Sequence, residues 1–154
     1  MDLGDLLAPD GIIASLKATS KKHALQELAN AAAARTGLDA REIFNTLLQR
    51  ERLGSTGLGR GIAIPHVKLD GLKGILCLFA RLEQPIEYES HDSEPVDLVF
   101  LLLAPEHASG DHLKALASIS RVVREPSVLD ALRSAPDAAA LRLALTRMAP
   151  SHAA

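Results

Sequence analysis

One cysteine, three phenylalanines, one tyrosine and no tryptophan make thiols and aromatic rings the scarcest chemistry in this 154-residue chain. The lone Cys77 permits no intramolecular disulfide and fits a reducing cytoplasm; inside an apolar run it reads as a small buried side chain. So few rings offer little for bases to stack on, and 17 Lys+Arg against 19 Asp+Glu lack the basic excess that phosphate-backbone binding requires. Nucleic acid is therefore not an expected partner. The apolar stretches Ile75–Ala80 and Leu98–Pro105 fall far short of the roughly 18 residues of a membrane span, so no membrane insertion is expected. The opening MDLGDLLAPDG carries Asp2 and Asp5 where a secretory signal carries Lys or Arg, which makes a cytoplasmic location the expectation. Neither a repeat nor a Pro/Ser linker divides the chain, so one domain with loose ends is expected.

Hydrophobic residues make up 47% of the chain, and a domain of this length buries roughly two-thirds of its unfolded surface, enough for a core without disulfides or structural metal. Residues 12–16 read as a short strand. Thr19 or Ser20 then caps a helix over Lys21–Arg35, whose Leu25, Leu28, Ala29 and Ala32 share a face and which Gly37 stops. Asp39 and Glu42 form a D-x-x-E capping pattern for a second helix to about Arg52, with Ile43, Phe44, Leu47 and Leu48 inward. A glycine-punctuated loop, GSTGLGRG (54–61), leads to a strand at 62–64 that Pro65 ends. Ile75–Leu82 and Asp97–Leu103 suit central strands covered on both faces, with Ile86–Tyr88 as a short edge strand between them. Helices are expected over Ser109–Arg124, with Leu113, Leu116, Ala117, Ile119 and Val123 apolar, then Ser127–Arg133 and Asp137–Met148. The order gives an α/β fold, a mixed β-sheet packed between helices.

Of six histidines, two stand out by position. His66 follows Pro65 on what reads as an irregular segment among glycines, where a ligand can approach closely. His112 sits in the first turn of a helix, a place that favours anions, on the stripe of Leu116, Ile119 and Val123. Arg50 lies near the inward side of its helix just before the glycine-rich loop, where a guanidinium offers bidentate contact to a phosphoryl group. With the backbone N–H groups of Ser55, Thr56 and Gly57, these residues fit a phosphohistidine site, since a neutral imidazole is a good nucleophile near pH 7. Spacing alone leaves a second reading open: two hydrogen-bonded structural histidines and an arginine serving a helix C-terminus.

The loop lacks the G-K-[ST] ending and the preceding strand of a nucleotide site. His107 and His112, with Glu106 and Asp111 nearby, form no recognised metal-ligand spacing, so neither metal nor cofactor is expected. Ser55 in GSTG is not the G-x-S-x-G of a hydrolase. His91, His107 and His152 read as solvated loop residues and His23 as a helix-surface residue, while the Lys21/Lys22 and Arg121/Arg124 pairs read as solvated helix faces. Asp97, a carboxylate opening an apolar strand, is expected as a structural acceptor, with orientation of His66 or His112 as the alternative.

The stretch RERLGSTGLGRGIAIPHVK (50–68) closely resembles the active-site signature of phosphotransferase-system enzyme IIA domains of the fructose–mannitol class, and GSTGLG looks most like the nitrogen-regulatory members. The likeness continues through LEQPIEY (82–88), EPVDLVFLLLAP (94–105) and HLKAL from His112. It implies one type-2 enzyme IIA domain over 1–154, with a core of about 12–148. By the same resemblance His66 is the phosphorylated residue, at Nε2, while His112 and Arg50 are its active-site companions. The donor implied is a histidine-containing phosphocarrier. Regulatory targets such as a potassium transporter or a sensor kinase would read the phosphorylation state, and no independent small-molecule turnover is implied. Two other readings are kept: a sugar-specific enzyme IIA passing phosphate to a separate enzyme IIB, and a phosphate-independent binding module. Val67 departs from the pattern, since many relatives have glycine there.

Overall fold

The computed structural model describes residues 2–108 and 110–146. The expected helix start at Ser109, the helix end at Met148 and the loop around His152 therefore lie outside the described residues. Along the chain run α1 (Leu3–Leu6), β1 (Leu7–Leu16), α2 (Lys21–Thr36), α3 (Ala40–Leu53), β2 (Gly57–Gly59), β3 (Ile62–Ala63) and β4 (His66–Leu69). They are followed by β5 (Leu76–Ile86), β6 (Val96–Pro105), α4 (Asp111–Val123), α5 (Pro126–Ser134) and α6 (Ala138–Thr146). The strands form one mixed sheet in the order β1-β5-β6-β3-β2, with β4 also on β6.

The two long central strands carry the core by alternation. Leu78, Ala80 and Leu82 of β5, with Val99, Leu101 and Leu103 of β6, pack under α2 and α3. Cys77 and Phe79, with Leu98, Phe100 and Leu102, point the other way into the layer of α1, α4, α5 and α6. Phe79 and Phe100 pair across the strands with ring centroids 4.9 Å apart. Continuous apolar runs thus serve strands covered on both faces, as the composition predicts. Cys77 is fully buried, and that burial pushes its thiol up to about 12, away from thiolate reactivity.

Local capping fixes α2 and α3. The Ser20 hydroxyl accepts from the His23 amide and the Asp39 carboxylate from the Glu42 amide, while Gly37 ends α2 in the left-handed region. In α4, Ile119 and Val123 are buried as expected, but Leu113 and Ala117 are exposed.

Four expectations about chain organisation are corrected. The N-terminal segment is not loose: Leu3 and Leu6 of α1 are buried, and α1 packs against α4 and α6. The first strand begins at Leu7, which pairs in parallel with Cys77 of β5, and Arg142 donates to the Ala8 and Pro9 carbonyls and Arg35 to the Asp10 carbonyl, occupying groups that an edge strand would otherwise leave open. The segment 54–61 is not all loop: Gly57–Gly59 pairs antiparallel with Ile62–Ala63 across a turn in which Arg60 and Gly61 both have positive φ, as a tight hairpin of primed type requires. Ile86 ends β5 and no separate Ile86–Tyr88 strand forms; Tyr88 is instead fully buried.

The hairpin is tied to the helical layer by arginines. Arg60 donates to the Val123 and Arg124 carbonyls at the end of α4. Arg133 grips Asp97 through both carboxylate oxygens, at 2.9 and 3.0 Å, and also donates to the Arg60 carbonyl. Asp97 is therefore the structural acceptor expected, with Arg133 as its partner. A Cβ on Gly61 (φ +83°) would stand 2.4 Å from Arg133 Nη2 and 2.7 Å from Asp97 Oδ1. Gly61→Ala is accordingly expected to cost about 2–4 kcal/mol, combining left-handed strain with a disturbed ion pair. Urea unfolding should show a lowered midpoint at unchanged slope; a wild-type midpoint would contradict this.

Candidate functional site

Pro65 lacks an amide donor, yet its carbonyl accepts from Leu102 N–H (3.0 Å), so pairing alongside β6 resumes at once. His66 is therefore the first residue of β4, opposite Leu102, and not part of an irregular segment. Strand pairing fixes its backbone where a loop would leave it free.

An open depression of about 550 Å³ lies over this point, with His66, Val67 and Lys68 of β4 meeting Leu102 and Ala104 of β6. One face of α3 supplies Thr46, Gln49, Arg50 and Leu53, spaced i, i+3, i+4 and i+7, and the first turn of α4 supplies His112. The two histidines and the arginine, separated by 16 and 46 residues in sequence (50 to 66, 66 to 112), line one cavity. It sits toward the carboxyl end of β6, beside the parallel β4, where α/β sheets commonly place ligands.

His66 Nδ1 lies 2.8 Å from the Ile64 carbonyl. A carbonyl only accepts, so Nδ1 carries the hydrogen and the lone pair of the neutral ring resides on Nε2. His112 differs: its Nδ1 is buried and no hydrogen bond reaches it among the described residues. The ring stands at the N-terminus of a 13-residue helix, whose amide dipoles add positive potential to the cavity. Arg50 Nη1 donates to the Gly54 carbonyl (2.9 Å), which leaves the rest of the guanidinium fork for a ligand. Together with Lys68 these groups line the depression with positive charge and N–H donors, the chemistry that suits an anion carrying several oxygens.

Ser55, Thr56 and Gly57 are not among the residues lining the cavity, and the amides of Thr56 and Gly57 are not free. The Thr56 amide donates to Glu51 Oε1 (3.0 Å) and the Gly57 amide to Ser55 Oγ (3.1 Å), while Ser55 Oγ donates to the Tyr88 carbonyl (2.9 Å). The segment serves a buried polar cluster that sequence reasoning missed. Lys21 is not a solvated helix residue: its side chain is 15% exposed, its Nζ lies 2.9 Å from Glu51, and it sits 4.5 Å above the Tyr88 ring. Burial first, and then the Glu51 carboxylate, push the Tyr88 phenol far above its ordinary range. Local sequence signals only the glycines; the partners converge from α2, α3 and the segment after β5.

His91 and His107 are exposed, as expected of loop residues, and Asp97 is bound to Arg133. Among the described residues no group of three His, Cys, Asp or Glu side chains gathers to hold a metal ion, and no helix is long and apolar enough to cross a membrane.

Residues 5–148 match the model of the family described as phosphoenolpyruvate-dependent sugar phosphotransferase system, EIIA 2. The nitrogen regulatory protein of Bradyrhizobium diazoefficiens is 56% identical over 141 residues, 92% of each chain. The crystal structure of nitrogen regulatory protein IIA-Ntr from Neisseria meningitidis superposes with a TM-score of 0.88 at 34% identity, covering 94% of this chain and 99% of that one. The mannitol enzyme IIA of Escherichia coli, solved in complex with phosphorylated mannitol enzyme IIB, shares the fold with a TM-score of 0.77 at 20% identity, over 91% and 98% of the two chains.

Proposed function

The chain belongs to the phosphoenolpyruvate-dependent sugar phosphotransferase system EIIA 2 family, and on that premise we propose that it is a cytoplasmic phosphohistidine relay whose phosphorylation state controls its binding to regulatory targets. The observation that carries the reading is the convergence of His66, with its Nε2 lone pair, His112 and Arg50 on one open depression.

In the reaction, Nε2 of neutral His66 attacks the phosphorus of a phosphohistidine on a small phosphocarrier. The donor P–N bond breaks, its electron pair returns to the donor imidazole, and a P–N bond forms on His66. Nδ1–H stays on the Ile64 carbonyl, so positive charge developing on the ring meets a fixed acceptor. Arg50 and His112 stabilise the equatorial oxygens of the transferring group, where positioning and charge supply nearly all the catalysis. The product carries about −1.5 to −2 additional charges, against a formal net charge of −2. A partner that reads the rim of the depression meets a different potential in the two states.

The regulatory reading is favoured over sugar transport by the relatives at 56% and 34% identity, both named nitrogen regulatory proteins. Intact-mass measurement at alkaline pH, after incubation with phosphoenolpyruvate, enzyme I and phosphocarrier, tests the relay. One added phosphoryl group is expected; none, with a demonstrably phosphorylated donor, would reduce the chain to a phosphate-independent binding module.

Docking has its own signature at the rim. Leu53, 86% exposed at the end of α3, lines the depression, and Leu113, 61% exposed, follows His112. Leu53→Asp should raise the KM for phosphocarrier about tenfold at nearly unchanged kcat, because it removes apolar contact outside the reacting atoms. An unchanged KM would place the donor elsewhere.

A further inference from the structure

A chain of hydrogen bonds with a fixed direction ends on Glu51, the sequence neighbour of Arg50. Thr56 Oγ1 has a single hydrogen, and it is given to Glu51 Oε2. The Tyr88 hydroxyl, 3.2 Å from Thr56 Oγ1, must then be the donor in that contact. Both donations run toward the Glu51 carboxylate, which also receives the Thr56 amide at 3.0 Å and the Lys21 ammonium at 2.9 Å. The Glu51 side chain is 3% exposed. A buried carboxylate is costly unless it is fully partnered, and every group around this one is a donor or a cation.

The same carboxylate closes the turn that holds Arg50. The Gly54 amide donates to the Glu51 carbonyl (3.1 Å), the Glu51 side chain reaches forward to Thr56, and between these ties the Gly54 carbonyl receives Arg50 Nη1. The guanidinium thus rests on a turn clamped from both ends by its sequence neighbour. Lys21 on α2 and Tyr88 beyond β5 anchor that clamp to the body of the protein. Resting on the phosphoryl-acceptor reading above, we infer that Glu51, held by Lys21, Thr56 and Tyr88, is a positioning residue for phosphoryl transfer that acts through Arg50.

Glu51→Gln turns one carboxylate oxygen into an NH2 group facing donors and leaves Lys21 with only the exposed Glu89, 3.5 Å away, as counter-charge, at nearly constant volume. In transfer assays with phosphocarrier the variant should lose about tenfold in kcat with KM held within about twofold, as expected when a catalytic group is displaced and docking is not. In an Arg50→Ala background the same change should cost less than about twofold, because the group it positions is gone. Equal losses in both backgrounds, a loss confined to KM, or no loss in a folded variant would each overturn the proposal. If Glu51→Gln does not fold, Thr56→Val removes the two hydrogen bonds of the hydroxyl, to Glu51 and from Tyr88, while keeping the Lys21–Glu51 pair. Its loss of about threefold in kcat should likewise vanish in the Arg50→Ala background. A wild type that takes up no phosphoryl group would sink the acceptor reading itself. Nitrogen-15 relaxation at Arg50 Nε decides the positioning separately: order in wild type and its loss in Glu51→Gln support it, and equal order in both overturns it.

Discussion

Replacing His66 with alanine is expected to abolish the gain of one phosphoryl mass while leaving the fold and donor binding in place. The side chain is half-buried at the mouth of an open depression, and β4 is held by backbone pairing with β6 that alanine preserves. What disappears is the Nε2 lone pair, whose availability is set by the Nδ1 bond to Ile64. His112 has no matching bond, since among the described residues nothing reaches its buried Nδ1 to fix the hydrogen there. The check is the mass spectrum of the variant beside wild type under one donor preparation. Wild-type stoichiometry on His66→Ala would remove the residue from the reaction.

The second large effect belongs to Arg50. Alanine there should lower the transfer rate about 10²–10³-fold with a small change in KM, the scale found when one preorganised donor to a developing charge is deleted. One Nη1 hydrogen is committed to the Gly54 carbonyl, which aims the remaining fork from the flank of α3 into the depression. Arg50→Lys should recover only part of the loss, since an ammonium offers a point charge without the planar fork or the tie to Gly54. Rapid-quench transfer from phosphorylated carrier measures this. A rise in KM at unchanged kcat would make Arg50 a docking residue only.

Helix boundaries were legible because their signals are local. Ser20 and Asp39 declare the caps of α2 and α3, Gly37 the end of α2, and the apolar stripes follow. The central strands were legible from continuous apolar runs. The short strands were not, because Gly57–Gly59 and His66–Leu69 owe their state to pairing with residues distant in sequence, and glycine and proline argue locally for loop. The candidate site was visible as residue types and motif, but the convergence of 50, 66 and 112 depends on the topology that lays β4 beside β6 and starts α4 beyond it.

Lys21 shows the limit most clearly. Nothing in the sequence separates it from Lys22, yet Lys22 is exposed while Lys21 lies against Glu51 and Tyr88. A charge on a helix face becomes a buried pair only when another element covers it, and that is tertiary information. The glycine-rich segment misled for the same reason: its Thr56 and Gly57 amides serve this cluster and not the cavity.

The most direct test is nitrogen–phosphorus coupling in the protein labelled with nitrogen-15 in its histidine rings, phosphorylated and held at alkaline pH. Coupling of phosphorus to Nε2 of His66, with Nδ1 still protonated against the Ile64 carbonyl, is the predicted result. Phosphorus on Nδ1 of His66, or on another histidine, would contradict the geometry from which the function is read.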